Sequence, residues 1–250
     1  MSDFPLILIA APTAKAKNYC FADWLDNVMS FTYPNYKVVL FDNTPDDGLN
    51  ALFLNHLYAN KYGNNNRFMV INSFVKNETN KNIGIIERLC MSHNDCRDYA
   101  MKKGFDYLFH LETDIFPPHD VIERLLSHNK KLVNGLYYSD NGANRVAMAQ
   151  IPIKLSPING ASIWVRKENE LDLLLQDKLV KVGAAGLGCA LIHLSVLRKI
   201  KFRFVVNNAK TPDVHFNDDC IHHKIPIYID ASVVCSHRNQ EWGVYGIDYN

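Results

Sequence analysis

The first part of this chain repeats one rhythm, and that rhythm leaves few folds open. A short apolar run is followed by a stretch with helical spacing, and the pair recurs. LILIA precedes NYCFADWLDNVMSF, YKVVLFDN precedes ALFLNHLYANKYG, RFMVINS precedes IIERLCMSHNDCRDYAMKKG, and YLFHLE precedes HDVIERLLSHNK. Apolar runs without polar alternation are strands covered on both faces. Strands alternating with helices call for a mostly parallel sheet with helices on its faces. In the first helical stretch Phe21, Trp24, Leu25 and Val28 share one face. Gly63 and Gly104 are placed to end the second and third helices, and Asp120 stands in the first turn of the fourth.

After about residue 132 the pattern changes. LVNGLYY, RVAMAQIPI, ASIWVRK, LVKVG and CALIHL read as short strands separated by turn signals. LSVLRKI and PDVHFNDDCIHHK read as short helices, and PIYID and SVVCSHR as two further strands. There is no internal repeat, low-complexity stretch or long linker. The expected architecture is α/β: one domain over 1–250, with a mostly parallel central sheet and helices on both faces.

Composition narrows the function classes. Hydrophobic residues are 48% and charged residues 21% of the 250, the balance of an ordinary globular protein. Lys and Arg number 27 against 26 Asp and Glu, a net charge of +1, so nothing global drives the chain toward nucleic acid or an anionic membrane. FPLILIAAP near the start is too short to span a bilayer and has no basic region before it. The six cysteines form no CxxC pair and no zinc spacing, so they read as buried, reduced thiols, and a cytoplasmic location is expected. The sequon at Asn77–Thr79 is discounted for want of a secretion signal.

One strand carries chemistry at its end. The stretch YLFHLETDIFPPHD runs from a buried strand straight into Glu112-Thr113-Asp114 and then a paired proline. In an open parallel sheet, ligands sit beyond the carboxyl ends of the strands, and Asp42 falls at another such end. Carboxylates at alternate positions of extended chain point the same way. Together they can hold a hard divalent cation, or one can hold the metal while the other accepts a ribose hydroxyl. The plainer reading is a solvated turn followed by a helix cap.

The stretch FHLETDIFPP, after RDYAMKKGFDY, resembles the metal-binding acidic motif of GT-A glycosyltransferases, with Glu-Thr-Asp in place of the usual Asp-x-Asp. LILIAAPTAKA resembles the first strand and Pro-Thr turn of that family, VVLFDNTPDD its second strand with an acidic end, and HNDCRDYAMKKG the helix that approaches the donor nucleotide. GAAGLGCALIHLSVLRKI resembles its acceptor-side glycine loop. DVHFNDDCIHHKIPIYIDASVVCSH resembles its helix with a catalytic acid and the strand that ends in a metal-binding histidine.

The resemblance implies a metal-dependent transfer of a sugar from a nucleoside-diphosphate sugar, a UDP-sugar favoured, to a hydroxyl acceptor. Residues 1–120 would form the donor half and 121–250 the acceptor half. Asp114 and His237 would hold Mn2+ or Mg2+, with Glu112 on the ribose or on metal-bound water. Pro12, Thr13, Asp42 and Arg97 would face the donor, although Asp42 also reads as a turn cap and Arg97 as a surface partner of Asp98. Cys235, His222 and His223 do not have zinc spacing. Asp213 would be the base that takes the acceptor proton in an inverting reaction, with Asp218 as fallback; after Pro212 it also reads as a helix N-cap. Where the family often has an acidic residue before this aspartate, Pro212 stands here, which leaves the base and the stereochemical outcome open. Gly183, Gly186 and Gly188 read as a loop for close backbone approach or as a tight turn. Trp242 and Tyr245 near the C-terminus read as a lid or as anchors of a frayed end.

Two other functions compete. A nucleotidyltransferase of related fold would usually carry a glycine-rich loop after the first strand, where AAPTAKAKN has none. A silent sugar- or nucleotide-binding protein has no need of Glu112, Asp114, Asp213 and His237 together. The acceptor stays open among a glycan, a protein side chain and a modified nucleic-acid base, the last in keeping with viral transferases of this kind, whose location would be the host cytoplasm. Arg198, Lys199, Lys201 and Arg203 are the basic residues available to touch phosphates.

Overall fold

The computed structural model describes residues 4–74, 84–140, 145–152, 162–166, 179–206 and 210–239. The first half runs β1 (Ile7–Thr13), a 3-10 turn (Lys15–Cys20), α1 (Phe21–Met29), β2 (Tyr36–Asp42), α2 (Leu49–Tyr62), β3 (Phe68–Asn72), α3 (Ile85–Lys103), β4 (Tyr107–Leu111), β5 (Ile115–Phe116) and α4 (Val121–Ser127). The second half runs β6 (Leu132–Leu136), β7 (Tyr138–Asp140), β8 (Arg145–Pro152), β9 (Ser162–Arg166), β10 (Leu179–Val182), β11 (Ala184–Ala185), β12 (Cys189–His193), α5 (Leu194–Leu197), α6 (Pro212–His222), β13 (Ile227–Val234) and β14 (Ser236–His237).

Eight strands make the central sheet, in the order β10-β13-β6-β12-β4-β1-β2-β3. The run β4-β1-β2-β3 is parallel, and so is the pair β13-β6. β12 enters antiparallel between β4 and β6, and β10 closes one edge antiparallel. The sheet is thus mostly parallel, and strands of the two halves lie side by side in it.

The direction of β12 positions the site. A parallel β12 would begin at the opposite edge of the sheet. Running antiparallel, it begins where β4 ends, and the Glu112 N–H donates to the Gly188 carbonyl at 3.0 Å. The glycine loop therefore meets the acidic motif.

The two faces of β1 feed two cores. Ile7, Ile9 and Ala11 pack with Phe21, Trp24 and Leu25 of α1, Leu54 of α2 and Ile122 and Leu125 of α4. Leu8 and Ala10 pack on the other side with Cys96 and Ala100 of α3, Leu197 of α5 and Phe216 and Cys220 of α6. The expected face of α1 is the buried one: Phe21, Trp24, Leu25 and Val28 are all buried. All six cysteines are buried free thiols.

Smaller sheets flank the main one. β11, β8 and β7 form one, with β9 on β8; β14 and β5 form a two-stranded ribbon. Two expectations are corrected. PIYID and the start of SVVCSHR are not separate strands but the single β13, whose register on β6 shifts between Asp230 and Val234. The N-cap of α6 is Thr211, with Pro212 in its first turn, which suits a residue without an N–H. Asp213 therefore lies inside the helix rather than at its cap. Among the described residues no helix is long and apolar enough to cross a membrane.

Candidate donor and metal site

The ribbon of β5 and β14 brings together residues that the sequence holds far apart. His237 pairs with Ile115, and the Arg238 N–H donates to the Asp114 carbonyl at 3.0 Å. This sets His237 Nε2 3.6 Å from an Asp114 carboxylate oxygen. Asp114 is fully buried.

The orientation of the His237 ring follows from its other nitrogen. Nδ1 lies 2.7 Å from the Tyr138 carbonyl oxygen, which can only accept, so Nδ1 carries a proton. Nε2, on the far side of the ring, faces the Asp114 carboxylate. Oxygen and imidazole donors in that arrangement fit a divalent ion such as Mn2+ or Mg2+.

A positive charge of the protein's own is already close by. Lys17, on the 3-10 turn after β1, places Nζ 3.0 Å from Asp114 and 3.2 Å from Glu112. Burial alone would pull the Lys17 ammonium down, but Asp114 and then Glu112 outweigh it and hold its pKa above the usual lysine value. Burial would likewise push the Asp114 carboxyl up, but Lys17 and His237 outweigh that and hold it well below the usual carboxylate range. Sequence reasoning missed Lys17. Its signal was slight: a lysine shortly after the Pro-Thr turn, following a strand that pairs with the acidic one.

Glu112 thus faces Asp114 across an ammonium. Among the described residues no group of three or more His, Cys, Asp or Glu side chains is placed to hold a metal ion. Asp114 and His237 are the pair that meets, and an ion on them would complete its coordination from phosphate oxygens or water. His222 and His223 are exposed at the end of α6.

Asp42 ends β2 beside Thr13, and Pro12 lies one register step earlier against Phe41. The Asp42 side chain is buried, and one oxygen accepts from the Thr44 N–H (3.2 Å), the Thr44 hydroxyl (2.6 Å) and Asn50 Nδ2 (3.1 Å). That oxygen performs the turn-capping role. The other is buried with no hydrogen-bond partner among the described residues, so it is an acceptor suited to an N–H or O–H of a ligand. Burial pushes the Asp42 carboxyl up. The Thr13 and Thr113 hydroxyls, 3.4 Å apart, tie the end of β1 to the acidic motif.

The glycine loop is shaped by Tyr137. Its hydroxyl accepts from the Gly188 N–H at 2.9 Å. A Cβ on Gly186 would lie 2.1 Å from that hydroxyl oxygen, and one on Gly188 2.8 Å from it, so neither position admits a side chain. Burial, then Glu112, raises the Tyr137 phenol, and Asp213 and Asp114 add to the effect. Tyr137 therefore lies within the field of all three carboxylates.

Asp213 reaches this neighbourhood through Asn217. Asn217 Nδ2 donates to the Asp213 carbonyl (2.8 Å) and the Ala185 carbonyl (2.9 Å), while its Oδ1 accepts from the Ala185 N–H (3.2 Å). This clamps the first turn of α6 to the glycine loop. The Asp213 carboxylate accepts from the Thr211 hydroxyl. Burial pushes its pKa up, and Glu112 pushes it further.

Two expected residues do not join the site. The Arg97 Nε donates to the carbonyls of Leu197 (2.8 Å) and Ile200 (3.0 Å), and its guanidinium pairs with Asp98. It locks α3 to α5 instead of facing a donor. Asp218 forms an exposed ion pair with Lys210 at 2.8 Å, and its neighbour Asp219 pairs with Arg203. Trp242, Tyr245 and the sequon at Asn77–Thr79 lie outside the described residues.

No protein-family model matches the chain, and a search of curated proteins finds no match. Solved structures do match. S. aureus TarS 1-349 in complex with UDP-GlcNAc aligns at TM-score 0.54 and 13% identity, over 98% of this chain and 62% of that one. GalNAc-T7 with UDP, GalNAc and Mn2+ aligns at 0.61 and 12%, over 95% and 44%. The mannosyltransferase PcManGT from Pyrobaculum calidifontis, in complex with GDP-Man and Mn2+, aligns at 0.59 and 12%, over 93% and 56%. The chain spans less than two thirds of each. At these identities the likeness is one of fold, and with its mostly parallel central sheet and helices the chain has a GT-A-like fold.

Proposed function

We propose that the protein is a metal-dependent glycosyltransferase that moves a sugar from a nucleoside-diphosphate sugar, a UDP-sugar in the first instance, to a hydroxyl acceptor. The observation that carries this reading is the meeting of Asp114 and His237 beyond the carboxyl end of β4, with the imidazole Nε2 3.6 Å from a fully buried carboxylate. The structures of similar fold in complex with UDP-GlcNAc and with GDP-Man, the latter with Mn2+, support a sugar-nucleotide donor.

A divalent ion on Asp114 and His237 would act as a Lewis acid on the departing diphosphate. The remaining steps fall to the chain. The open oxygen of Asp42 accepts from the base or ribose, and Glu112 accepts a ribose hydroxyl. Pro12 and Thr13 line the donor side; the loop at Gly186 and Gly188 lets the acceptor approach the backbone. Asp213 takes the acceptor hydroxyl proton as that oxygen bonds to the anomeric carbon and the carbon–phosphate-oxygen bond breaks, with its electron pair leaving on the diphosphate. A carboxyl with a raised pKa is better matched to this task than an ordinary one. Attack by the acceptor itself would invert the anomeric centre. The acceptor class remains a glycan, a protein or a modified nucleic-acid base.

The test is a panel of nucleotide sugars with Mn2+ and candidate acceptors, read as nucleoside diphosphate release and as product mass. Diphosphate release with a sugar-sized mass gain on the acceptor supports the reading. Transfer of a nucleotidyl group, or no turnover of any donor, overturns it.

A further inference from the structure

The Lys17 ammonium lies where a metal cation is needed. It bridges Asp114 at 3.0 Å and Glu112 at 3.2 Å, and its side chain is only 19% exposed. An ion bonded to Asp114 would stand at about 2.0–2.6 Å from a carboxylate oxygen. A dication and an ammonium on the same small carboxylate repel each other strongly in a buried site. One of them has to give way.

Lys17 has a flexible four-carbon stem on a 3-10 turn, so it can swing. Withdrawal costs it both carboxylates, and a buried cation that loses counter-charge is destabilised. A nucleoside diphosphate arriving at this edge supplies a replacement anion. Metal binding alone therefore displaces Lys17 into an unfavourable place. With the diphosphate present, the displaced ammonium gains a new partner.

We propose that Lys17 is a tethered cation that competes with the divalent metal for Asp114 and moves to the donor diphosphate when both arrive, so that metal and donor bind as a coupled pair. The proposal rests on the transferase reading above and assigns a positioning role to a residue of the turn after β1. It distinguishes Lys17 from a structural ion pair: loss of a merely structural lysine would weaken metal and nucleotide binding alike. Loss of a competitor strengthens metal binding in the absence of nucleotide.

Calorimetric titration of the full chain with Mn2+, with and without UDP, tests this. In the wild type Mn2+ should bind about ten-fold more tightly with UDP present, and by reciprocity UDP should gain the same factor from Mn2+. In Lys17→Met, Mn2+ alone should bind several-fold more tightly than to the wild type, UDP alone more weakly, and the coupling factor should fall toward one. Lys17→Gln, which keeps hydrogen-bond donors for both carboxylates, gives the same test should the methionine variant fail to fold. Unchanged or weakened binding of Mn2+ alone to the variants overturns the proposal, and so does absence of coupling in the wild type. The transferase reading survives that result provided Asp114→Ala abolishes Mn2+ binding. Absence of Mn2+ binding by the wild type, with or without UDP, overturns both.

Discussion

One hydrogen bond sets the geometry of the site: Nδ1 of His237 donates to the Tyr138 carbonyl, which turns Nε2 toward Asp114. His237→Ala should therefore weaken Mn2+ binding by roughly 10-fold or more, and transfer with it, while Asp114 keeps a residual site. Titration of Mn2+ against the folded variant checks this; unchanged affinity would remove His237 from the site. Asp213 gives a second prediction. Asp213→Asn should bind donor as the wild type does, yet turn over about two to four orders of magnitude more slowly, the contribution expected of a general base. Loss in turnover and efficiency together marks a transition-state role. The pH dependence follows from the raised pKa. A base at Asp213 would work only when ionised, so activity should fall on the acid side at a pH above the ordinary aspartate value. For stability the sign is the reverse: the folded protein prefers the protonated Asp213, so stability contributed at low pH is lost as pH rises through the raised pKa. Asp114, with a lowered pKa, contributes stability above the unfolded value that is lost as pH falls toward the folded one.

Helices and strands obey simpler arithmetic. Trp24 of α1 is fully buried against β1 and β2, so Trp24→Ala should cost about 3–5 kcal/mol in denaturant unfolding. Gly186→Ala forces a methyl onto the Tyr137 hydroxyl and should destabilise by about 1–3 kcal/mol, with loss of acceptor-dependent turnover. Wild-type stability in that variant would show that the loop yields freely. The elements of the first half were legible because the strands are largely apolar runs and α1 has a clear face; α2 is less plain, with Leu49, Leu52 and Phe53 exposed. Those of the second half were legible as pieces but not in their directions. Nothing in CALIHL says that β12 runs against β4, since a strand buried on both faces reads the same in either direction. PIYID and SVV read as two strands because Asp230 is polar; its side chain instead accepts from Ser232 and pairs with His128 while the strand continues.

Across the whole molecule, the site could be read only in parts. The carboxylates at strand ends announce themselves, because a parallel sheet gathers its functional groups at one edge. Their partner His237 stands 123 positions after Asp114 and reaches it only through the pairing of β5 with β14, a contact between two very short strands with no pattern of their own. Lys17 was passed over because nothing along the chain links a lysine after β1 to carboxylates after β4 until the two strands are paired. Arg97 could be read two ways along the chain: its pairing with Asp98 is local and is present, but the carbonyls of Leu197 and Ile200 that also hold it come from a distant segment. In the proposed reaction Asp114 organises a metal-dependent transfer at this edge. The most direct measurement compares wild type and Asp114→Ala for Mn2+-dependent release of nucleoside diphosphate from a sugar nucleotide, with circular dichroism on both to confirm folding. Release by the wild type that is lost in a folded Asp114→Ala is the predicted result; a folded variant with near-normal, Mn2+-dependent release would contradict the account.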